Sequence, residues 1–519
     1  MNVNAFLQKD YENETAFRPK KTNPKQTQFL QRPKSLAGKS GHTRNISGLV
    51  SFFDNGSWFD IVGGIMKNTL EKQRTFFTSG KTKSFKFRTE MLNRLGEAIS
   101  HFEGDILEAL RKDLNRSKVE GYITEIHHCL AEISFALKNL KKWMRPQRVG
   151  GSKLFPLSKG FVVSEPLGTC LIVSPWNYPF SLAILPLIAS IAAGNCTVIK
   201  PSEISKNTET VIFEMVSKYF DEKYISVICG GPEISQELLK ERFDYMFFTG
   251  GETVGKIVMK AAAENVTPVT LELGGKSPCI VDENCDFQKA ARRITWGKFL
   301  NAGQTCVAPD YLLVQENVKD KLIMGIRKYI LEFYGEKPQD SGDYGRIINE
   351  KHFDRLNELL KEGEVIFGGK TNRERLYISP TLIGEIPENA RIMNEEIFGP
   401  LLPVLEFGQV SEAVDFVNGR PKPLALYVFS RNKDFQRKII SETSSGGVCI
   451  NDTIVHLTAP RLPFGGVGNS GFGKYHGKAG FDTFSNQKSI LRQTLLFDIP
   501  RRFPPTDEKA LKVLRAILK

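Results

Sequence analysis

An uncharged run, Leu167–Ile199, constrains the fold more than any other feature of this sequence. Its length would allow a membrane-spanning helix, which needs about 20 apolar residues. However, Pro175, Pro179 and Pro186 interrupt the run, and a helix in lipid would have to satisfy its backbone at each of them. A buried strand, a loop, a buried helix and a second strand explain the run better, so we expect no transmembrane anchor.

Strand-like and helix-like segments alternate around this run. The apolar segments GFVVSEPLGTCLIVSP and NCTVIKPSE each end at a turn, and they flank the helix-like SLAILPLIASIAAG. The pattern continues in YISVICGG and FDYMFFTGG, and the latter opens onto ETVGKIVMKAAAE. Such alternation predicts an α/β fold with a doubly wound parallel sheet. A second alternating region, from about residue 271 to 480, predicts a second α/β domain.

Charge and cysteine usage exclude several classes of protein. The net charge of +13 is concentrated in two segments, Thr15–Gly48 and Lys488–Lys519. Because such runs are usually solvated tails, we expect no nucleic-acid partner. The eight cysteines are scattered without a CxxC pair, which favours a reducing compartment, and no signal-peptide pattern is present, so we expect a cytoplasmic protein. His127, His128 and Cys129 are adjacent and would diverge around a helix, so we expect no metal site.

The strongest local signal for chemistry is the segment NAGQTCVAPDY, which contains Cys306. A glycine-containing polar loop after a helix-like segment could expose the thiol to a substrate. On composition alone a cysteine is more often a small buried hydrophobe than a nucleophile. Catalysis by a thiol also requires an activating partner or local field.

Seven separated motifs, taken in order, resemble those of the aldehyde dehydrogenase superfamily, and most closely its class 3 branch. The resemblance covers roughly residues 62–500, and the VAPDY continuation after the cysteine is typical of class 3. The motifs are SPWNYP (174–179), KPSE (200–203), FTGGETVG (248–255), LELGGKSP (271–278), GQTCVAPDY (303–311), EEIFGP (395–400) and PFGGVGNSGFG (463–473).

The resemblance implies three catalytic residues. Cys306 matches the nucleophile that attacks an aldehyde and forms a thiohemiacetal. Asn177 matches the amide that, with the Cys306 backbone N–H, stabilises the resulting oxyanion. After hydride transfer to a nicotinamide, Glu272 matches the general base that activates water to hydrolyse the thioester. A glutamate at this position disfavours a coenzyme A-dependent relative.

The resemblance also implies a dinucleotide cofactor. Lys200 and Glu203 match residues that bind the adenosine ribose, after a strand where such crevices lie. The Glu203 carboxylate repels a 2′-phosphate, which favours NAD, although class 3 relatives can accept NADP. Gly250 and Gly255 match glycines that allow the dinucleotide to approach the backbone.

The EEIFGP motif completes the expected cofactor site. Glu396 matches the carboxylate that holds the nicotinamide ribose, and Phe398 matches a ring beside the nicotinamide; a surface glutamate and a core phenylalanine would look the same. Gly466–Gly471 satisfies GxGxxG, but it lacks the preceding strand and following helix of a dinucleotide fingerprint. The resemblance implies that it is a structural loop near the active site.

With this resemblance the chain divides into four segments. We expect a disordered basic extension at residues 1–60 and a Rossmann-type NAD-binding domain at 61–271, with a bridging hairpin near 150–165. The catalytic domain is expected at 272–480, and a C-terminal oligomerisation segment at 481–519. Class 3 resemblance implies a homodimer.

The expected substrate is a medium- or long-chain aliphatic, or an aromatic, aldehyde. The alternative enzyme is a semialdehyde dehydrogenase acting on a small charged substrate. A non-catalytic member is disfavoured because Asn177, Glu272, Cys306 and Glu396 are all present. A cofactor-independent thiol esterase would leave Lys200 without a purpose.

Overall fold

The structure, a computed structural model, describes residues 55–151, 155, 157–387, 389–496, 498 and 503–518. Most of the predicted extension therefore lies outside the described residues. The first described helix begins at Asn55, whereas the sequence pattern predicts helix only from about Ile61. The residues between these points include Gly56 and Ser57 and show little apolar periodicity, which explains the difference.

Helices and strands alternate over most of the chain. The α-helices are Asn55–Thr78, Phe85–His101, Glu103–Leu114, Lys118–Gly121, His128–Trp143, Ser181–Ala193, Lys206–Tyr219, Pro232–Lys240, Glu252–Glu264, Phe287–Phe299, Lys319–Tyr334, Glu350–Leu359, Arg391–Asn394, Val410–Asn418, Lys433–Glu442, Gly477–Thr483 and Glu508–Leu518, with a π-helical turn at Tyr122–His127. The first nine strands are β1 Gln147–Val149, β2 Lys159–Pro166, β3 Thr169–Val173, β4 Cys196–Lys200, β5 Ile225–Val227, β6 Tyr245–Gly250, β7 Val269–Leu273, β8 Pro278–Val281 and β9 Tyr311–Gln315. The others are β10 Glu364–Phe367, β11 Thr371–Asn372, β12 Tyr377–Ile378, β13 Thr381–Gly384, β14 Leu401–Phe407, β15 Ala425–Phe429, β16 Gly447–Ile450, β17 Gly471–Phe472 and β18 Ser485–Arg492.

The uncharged run folds as predicted from the sequence. It forms β3, the buried helix Ser181–Ala193 and β4, with a loop before the helix. Every residue of that helix except Leu182 is buried, which explains why the run needs no charged side chain. Within the described residues, no helix combines the length and the apolar character that crossing a membrane requires.

The first large sheet has six strands in the order β17-β7-β6-β3-β4-β5. The five strands from β7 to β5 are parallel, and β17 is antiparallel to β7. From β3 the chain adds β4 and β5 on one side of the sheet, and it then returns to place β6 on the other side of β3, so the strand order reverses between β3 and β6. In doubly wound sheets, ligands bind at the carboxyl ends of the strands beside such a reversal.

Both faces of this sheet are covered. Cys170 and Ile172 of β3 pack into one apolar cluster with the helix Ser181–Ala193, while Leu171 packs into another cluster with Val258. A strand buried on both faces reads as a continuous apolar run, as the segment TCLIV does. The α/β fold predicted from the sequence is confirmed.

The second large sheet has seven strands in the order β10-β13-β14-β9-β8-β15-β16, and only β10 is antiparallel to its neighbour among these described strands. The chain passes from the first sheet to the second between β7 and β8, a connection of four residues (274–277). It returns to the first sheet at β17. A separate antiparallel sheet has the order β1-β2-β18, and β18 is exposed along seven of its eight residues.

Candidate active site

Cys306 follows a short turn with an unusual backbone. Asn301, Ala302 and Gly303 have φ angles of 52°, 51° and 75°, all in the left-handed region. An L-residue in this region costs on the order of 1–2 kcal/mol, so neighbouring groups must hold the turn in place. Gly303 is required for a second reason, because a Cβ atom there would lie 2.2 Å from the Gly399 carbonyl oxygen.

Cys306 is the least buried of the eight cysteines: the residue as a whole is partly exposed, whereas the other seven are buried. Its sulfur is nevertheless largely enclosed by protein. Burial of the sulfur and, after it, the nearby carboxyl groups of Glu396 and Glu272 raise the pKa of Cys306 to about 12. The backbone N–H groups of Cys306 and Val307 act in the opposite direction. The thiol is therefore protonated at neutral pH, and it must lose its proton before it can attack.

Asn177 lies beside the cysteine turn. Its side chain is buried, and Nδ2 donates a hydrogen bond to the Gln304 carbonyl at 3.1 Å. A side-chain amide has two N–H donors, so one remains for an oxyanion. The backbone carbonyl of Asn177 accepts from Asn301 Nδ2 at 2.9 Å and from Arg116 Nη2 at 2.6 Å. Both ends of Asn177 are thus fixed against the turn that carries the nucleophile.

Glu272 lies near the carboxyl end of β7. It is buried, and neither carboxyl oxygen has a hydrogen-bond partner within the described part of the chain. Burial raises its pKa well above the usual range, and Lys474 only partly opposes this shift. A buried carboxyl with two free oxygens, within electrostatic range of the Cys306 thiol, is a suitable acceptor for a proton from water once it is ionised.

Glu396 lies against the glycine pair that follows β7. A Cβ atom on Gly274 would lie 2.1 Å from a Glu396 carboxyl oxygen, and the carboxyl accepts a hydrogen bond from the Gly275 N–H. Of the two glycines in LELGGKSP, Gly274 therefore leaves room for this carboxyl and Gly275 donates to it, roles that the sequence analysis missed. Burial raises the pKa of Glu396 to about 8.

Basic and acidic side chains fix the backbone around Glu396. Arg355 donates to the carbonyl of Glu396 at 3.3 Å and to the carbonyl of Ile397 at 2.6 Å. Asp310 Oδ1 accepts from the Ile397 N–H at 3.0 Å and Asp310 Oδ2 from Lys276. This segment is therefore held rigidly where it meets the first sheet.

Phe398 has a left-handed backbone, with φ at 49°. Its ring meets Trp176 edge to face at 5.3 Å between centroids, and Trp176 also contacts His352 at 4.8 Å. Phe398 is partly exposed, so the ring is not an ordinary core side chain. The structure places it on the loop that carries Glu396, beside the SPWNYP segment.

Lys200 and Glu203 lie together at the carboxyl end of β4. Lys200 Nζ donates to Glu203 Oε2 at 3.2 Å and to the Pro201 carbonyl at 2.5 Å. Lys200 is buried, whereas Glu203 is partly exposed. The pair can offer a carboxylate and an ammonium group to sugar hydroxyls at this sheet edge.

The glycines at the end of β6 and in the helix that follows make close contacts that the sequence does not predict. A Cβ atom on Gly255 would lie 2.8 Å from Leu273 Cδ2, so this glycine lets its helix pack against β7. A Cβ atom on Gly250 would lie 2.5 Å from the Phe248 ring. Gly251, at the N-terminus of the helix Glu252–Glu264, faces open space. Of the three, Gly251 is the one at which a phosphate could approach a helix N-terminus.

Two buried hydroxyls show that this edge suits a polar ligand. Ser174 follows β3 and Thr249 lies at the end of β6, so they flank the reversal in strand order. Their hydroxyl oxygens are buried and make no hydrogen bond among the described residues. Because buried polar atoms are normally paired, these two atoms indicate a ligand with hydrogen-bonding groups. A dinucleotide fits this donor set together with Lys200 and Glu203.

The GxGxxG segment Gly466–Gly471 is a loop with a short 3-10 turn, and not a phosphate-binding turn between a strand and a helix. Gly471 pairs with Glu272 across β17 and β7. A Cβ atom on Gly465 would lie 2.6 Å from a Glu272 carboxyl oxygen. The segment therefore encloses the predicted base, and the structure places it at the site as a structural loop.

A row of aromatic rings forms one wall near the site, and we call it the aromatic wall: His128, His456, Phe464, Tyr475 and His476. Neighbouring rings lie 4.2–6.0 Å apart, and His128 stacks on His476. Burial lowers the pKa of His128 and of His456 to about 4, and that of His476 well below its usual value. All three imidazoles are therefore neutral at pH 7.

The aromatic wall adjoins the reacting groups. Tyr475 is within electrostatic range of the Cys306 thiol and of Glu272. Tyr427 contacts His456 at 6.1 Å, and its hydroxyl donates to the carbonyl of Val307. Sequence analysis missed this wall because its members come from three distant segments. Among the described residues, no group of three or more His, Cys, Asp or Glu side chains is arranged to hold a metal ion.

Sequence analysis also missed a buried charge cluster next to Asn177. Arg116, Glu120 and Glu125 lie together, with Arg116 and Glu125 fully buried. The ten positions 116–125 contain four charged residues, including Lys118, and this density does not distinguish the buried three from an exposed helix face.

Comparison with known proteins agrees with this site. The family model described as the aldehyde dehydrogenase family matches residues 66–490. The chain is 49% identical over 458 residues to 4,4'-diaponeurosporen-aldehyde dehydrogenase from Staphylococcus aureus (strain NCTC 8325 / PS 47), covering 88% of this chain and 99% of that protein. It is 47% identical over 448 residues to aldehyde dehydrogenase family 3 member B3 from Mus musculus, covering 86% and 94% respectively.

A solved structure gives the same result for the fold. The structure described as the substrate-bound state of Staphylococcus aureus AldH has a TM-score of 0.85 and 48% sequence identity, and the match covers 87% of this chain and 99% of that one. The resemblance to class 3 enzymes stated from the motifs is confirmed by these relatives. The chain belongs to the aldehyde dehydrogenase family.

Proposed function

We propose that this enzyme oxidises an aldehyde to its carboxylate through a thioester on Cys306, with NAD(P)+ as the cofactor. One observation carries the proposal. Cys306, the least buried of the eight cysteines, lies within electrostatic range of two carboxyl groups, at the edge of a doubly wound sheet with unpaired polar groups. Family membership supports aldehyde oxidation.

In the first step the Cys306 thiol gives its proton to water, and the resulting thiolate attacks the carbonyl carbon. A carbon–sulfur bond forms, and the carbonyl electron pair moves to oxygen, where Asn177 Nδ2 and the Cys306 backbone N–H donate hydrogen bonds. Preorganised donors of this kind are worth on the order of 3 kcal/mol in barrier height. The carbonyl then re-forms as hydride leaves, which produces the thioester. When bound, NAD(P)+ supplies the acceptor for that hydride.

The second step is hydrolysis of the thioester. Glu272 accepts a proton from water as the water oxygen attacks the acyl carbon, and the Cys306 thiolate leaves with the carbon–sulfur electron pair. The two unpaired oxygens of Glu272 support this role because neither is committed to another donor among the described residues. The carboxyl must be ionised to act, so hydrolysis should accelerate as the pH rises.

The cofactor assignment rests on the sheet edge. Lys200 and Glu203 would bind the adenosine ribose, and Gly251, at the N-terminus of the helix Glu252–Glu264, would let the pyrophosphate approach. Glu396 would hold the nicotinamide ribose, with Phe398 beside the ring. A partly exposed carboxylate at Glu203 favours a free 2′-hydroxyl, so we propose NAD as the preferred cofactor and NADP as a slower one.

The two large sheets suggest a division of the chain into two functional domains. We propose that the six-stranded sheet and its helices form the nucleotide-binding domain and that the seven-stranded sheet forms the catalytic domain. The exposed β18 and the helix Glu508–Leu518 would contribute to a homodimer interface. We further propose that the enzyme acts in the cytoplasm, because its accessible thiol requires a reducing compartment.

The aromatic wall indicates the substrate class. Its members carry no charge at neutral pH, so the wall offers no cation for the carboxylate of a small semialdehyde. Its partly exposed members, among them His456 and Phe464, can contact an apolar or aromatic substrate, whereas Tyr475 and His476 are themselves buried. We therefore propose a medium- or long-chain aliphatic, or an aromatic, aldehyde, in preference to a semialdehyde.

Two measurements test the proposal. Cys306→Ala should abolish NADH formation and leave NAD binding intact, whereas Cys449→Ala, which removes a buried thiol, should retain activity. In an aldehyde panel assayed with NAD and with NADP, decanal and benzaldehyde should show higher kcat/KM than succinic semialdehyde. Undiminished turnover by Cys306→Ala would refute the mechanism, and a preference for the semialdehyde would refute the substrate class.

A further inference from the structure

The charge cluster is built on an unusual helical turn. The chain is helical from Lys118 to Trp143, but residues Tyr122–His127 form a π-helical turn. Such turns contain one extra residue, and they occur frequently at functional sites. Because a π-helical turn needs more residues than an α-helical turn, it brings Glu120 and Glu125, five positions apart, to the same side. Both carboxyl groups thereby reach one guanidinium group.

That guanidinium group belongs to Arg116, and it also reaches the active site. Nη1 donates to Glu125 Oε1, and Nε lies 3.3 Å from Glu120 Oε1. The remaining nitrogen, Nη2, donates to the Asn177 carbonyl at 2.6 Å. The guanidinium also lies 4.5 Å from the centroid of the Tyr178 ring.

The two carboxyl groups hold backbone on either side of the site. Glu120 Oε1 accepts a hydrogen bond from the Asn301 N–H at 3.0 Å, at the first residue of the left-handed turn before Cys306. Glu125 Oε2 accepts from the Ser181 N–H at 2.6 Å, at the start of the buried helix that follows Asn177. The cluster is therefore bonded to both segments that meet at the proposed oxyanion site.

Burial of this cluster is costly without a compensating role. A buried charged group requires full pairing, and replacing such groups by apolar ones is often neutral or stabilising. Burial raises the pKa of Glu120 to about 7, against the lowering effects of Arg116 and of the Asn301 N–H. The charges of Glu125 and Asp343 contribute to this raised pKa, and the phenol groups of Tyr178 and Tyr334 also face the Glu120 carboxyl.

We propose that Arg116, Glu120 and Glu125 are positioning residues that keep the Asn177 amide and the turn Asn301–Gly303 in register, so that the oxyanion donors and the Cys306 sulfur meet the same carbonyl group. This inference rests on the proposed function, because it assigns a purpose through Asn177 and Cys306. It places the effect of the cluster on acylation. Cofactor binding, which uses other strand ends, is unaffected.

The test uses Glu120→Ala, Glu120→Gln and Arg116→Lys, with Glu108→Gln as the matched control. Glu108 also pairs with an arginine, Arg111, at 2.9 Å, but this pair is exposed on a neighbouring helix. The rate constant of the first-turnover NADH burst reports acylation, and fluorescence titration reports NAD binding. Thermal unfolding reports the state of the fold.

Glu120→Ala and Arg116→Lys should slow the burst by on the order of 10- to 100-fold, because small displacements of reacting groups cost this much. NAD affinity should stay within about twofold of the wild type, as should both readouts for the control. Glu120→Gln keeps an acceptor for the Asn301 N–H but loses the charge that faces Arg116, so it should recover only part of the rate lost in Glu120→Ala. If Arg116→Lys does not fold, the two Glu120 variants decide the outcome.

The pH profile separates positioning from a merely structural role. The wild-type burst should show an ionisation near pH 7 that Glu120→Gln lacks and Glu108→Gln retains. Superimposable profiles, or burst rates within about twofold of the wild type in Glu120→Ala, would overturn the inference. Equal losses of NAD affinity and burst rate would overturn it too. If Cys306→Ala still forms NADH, the proposed function fails instead, and the two failures are distinguishable.

Discussion

At the scale of single residues, the site is defined by groups that are kept uncharged until they are needed. The Cys306 thiol is protonated because it is buried and faces the carboxyls of Glu272 and Glu396. The same burial raises the pKa of Glu272 and of Glu396. A nucleophile and a base that are both protonated and uncharged in the folded protein avoid the free-energy cost of burying a charge. They become reactive only when substrate, cofactor or water changes their surroundings.

Glu272 should be needed for the second half of the reaction and not for the first. In Glu272→Gln we expect a burst of one NADH per active site, followed by steady-state turnover lowered by on the order of 10²–10⁴, the usual contribution of a general base. Rapid-mixing absorbance of NADH measures both phases. The carboxamide cannot accept the proton of water, so the thioester should accumulate.

Glu132→Gln is the control for this variant. Glu132 is also buried with a raised pKa, but its carboxyl accepts the Gly477 N–H at 2.6 Å and it lies outside the proposed machinery. This variant should show no separation of burst and turnover. Full steady-state activity of Glu272→Gln would show that the base lies elsewhere.

At the scale of elements, the turn before Cys306 requires Gly303 for two reasons: its positive φ angle and its close approach to Gly399. The two reasons can be tested separately. Gly303 and Gly80 have nearly the same φ angle, 75° and 74°, but a Cβ atom would meet Gly399 backbone only at Gly303. Gly80→Ala should cost on the order of 1–2 kcal/mol, the cost of a left-handed alanine, and should leave kcat unchanged. Gly303→Ala should lower the melting temperature further and abolish most activity.

Circular dichroism melting and steady-state kinetics on the two glycine variants make this comparison. Because the backbone of Gly399 and Pro400 cannot move away cheaply, the added methyl must displace the cysteine turn itself. Equal melting temperatures and equal activities in the two variants would contradict the close contact.

The elements differ in how far the sequence could predict them. The strand, loop, helix and strand of Leu167–Ile199 were predictable because apolar content, prolines and glycines mark their limits locally. The π-helical turn Tyr122–His127 was not, because nothing in YITEIH distinguishes it from an α-helix. Nor was the left-handed Ala302, whose conformation is imposed by contacts with distant segments. The motifs identified the reacting groups, but their supports, such as Glu120, come from tertiary structure.

At the scale of the whole molecule, the site lies where the chain crosses between its two large sheets. Glu272 is the second-last residue of β7 in the first sheet. Only residues 274–277 separate β7 from β8 of the second sheet. The second sheet contributes the loop of Glu396, which rests on this connection. Motion between the sheets would therefore alter the site directly. The hydrogen bonds from Arg355 to the Glu396 carbonyl and from the Ile397 N–H to Asp310 oppose such motion.

The raised carboxyl pKa values make the stability of the protein depend on pH in a predictable direction. The pKa of Glu396 is about 8 in the folded protein and near 4.3 in an unfolded chain. Between these values the folded state holds a proton that the unfolded state has released, so the free energy of unfolding decreases as the pH rises to 8. Above pH 8 the group is ionised in both states, and its effect is complete.

The interval from pH 6.5 to 8 excludes the opposing effects of histidine and lysine, and the comparison of Glu396→Gln with the wild type removes the effects of the raised Glu120 and Glu272 carboxyls, which both proteins share. His128, His352 and His456, with pKa values lowered to about 4, act in the opposite direction only below about 6.5, where unfolded histidine titrates. The lowered pKa of Lys298, about 8, acts only above that value. In this interval Glu396→Gln should lose less stability than the wild type, by at most about 2 kcal/mol.

Melting temperatures of the wild type, Glu396→Gln and the exposed control Glu336→Gln, measured without cofactor at several pH values, test this expectation. The difference between Glu396→Gln and the wild type should grow steadily up to pH 8 and then stop growing. The control should run parallel to the wild type throughout. A constant difference would mean that Glu396 is ionised in the folded protein at pH 6.5. In that case its charge would already oppose thiolate formation at Cys306, and the cofactor-free enzyme would hold a charged carboxylate beside the nucleophile.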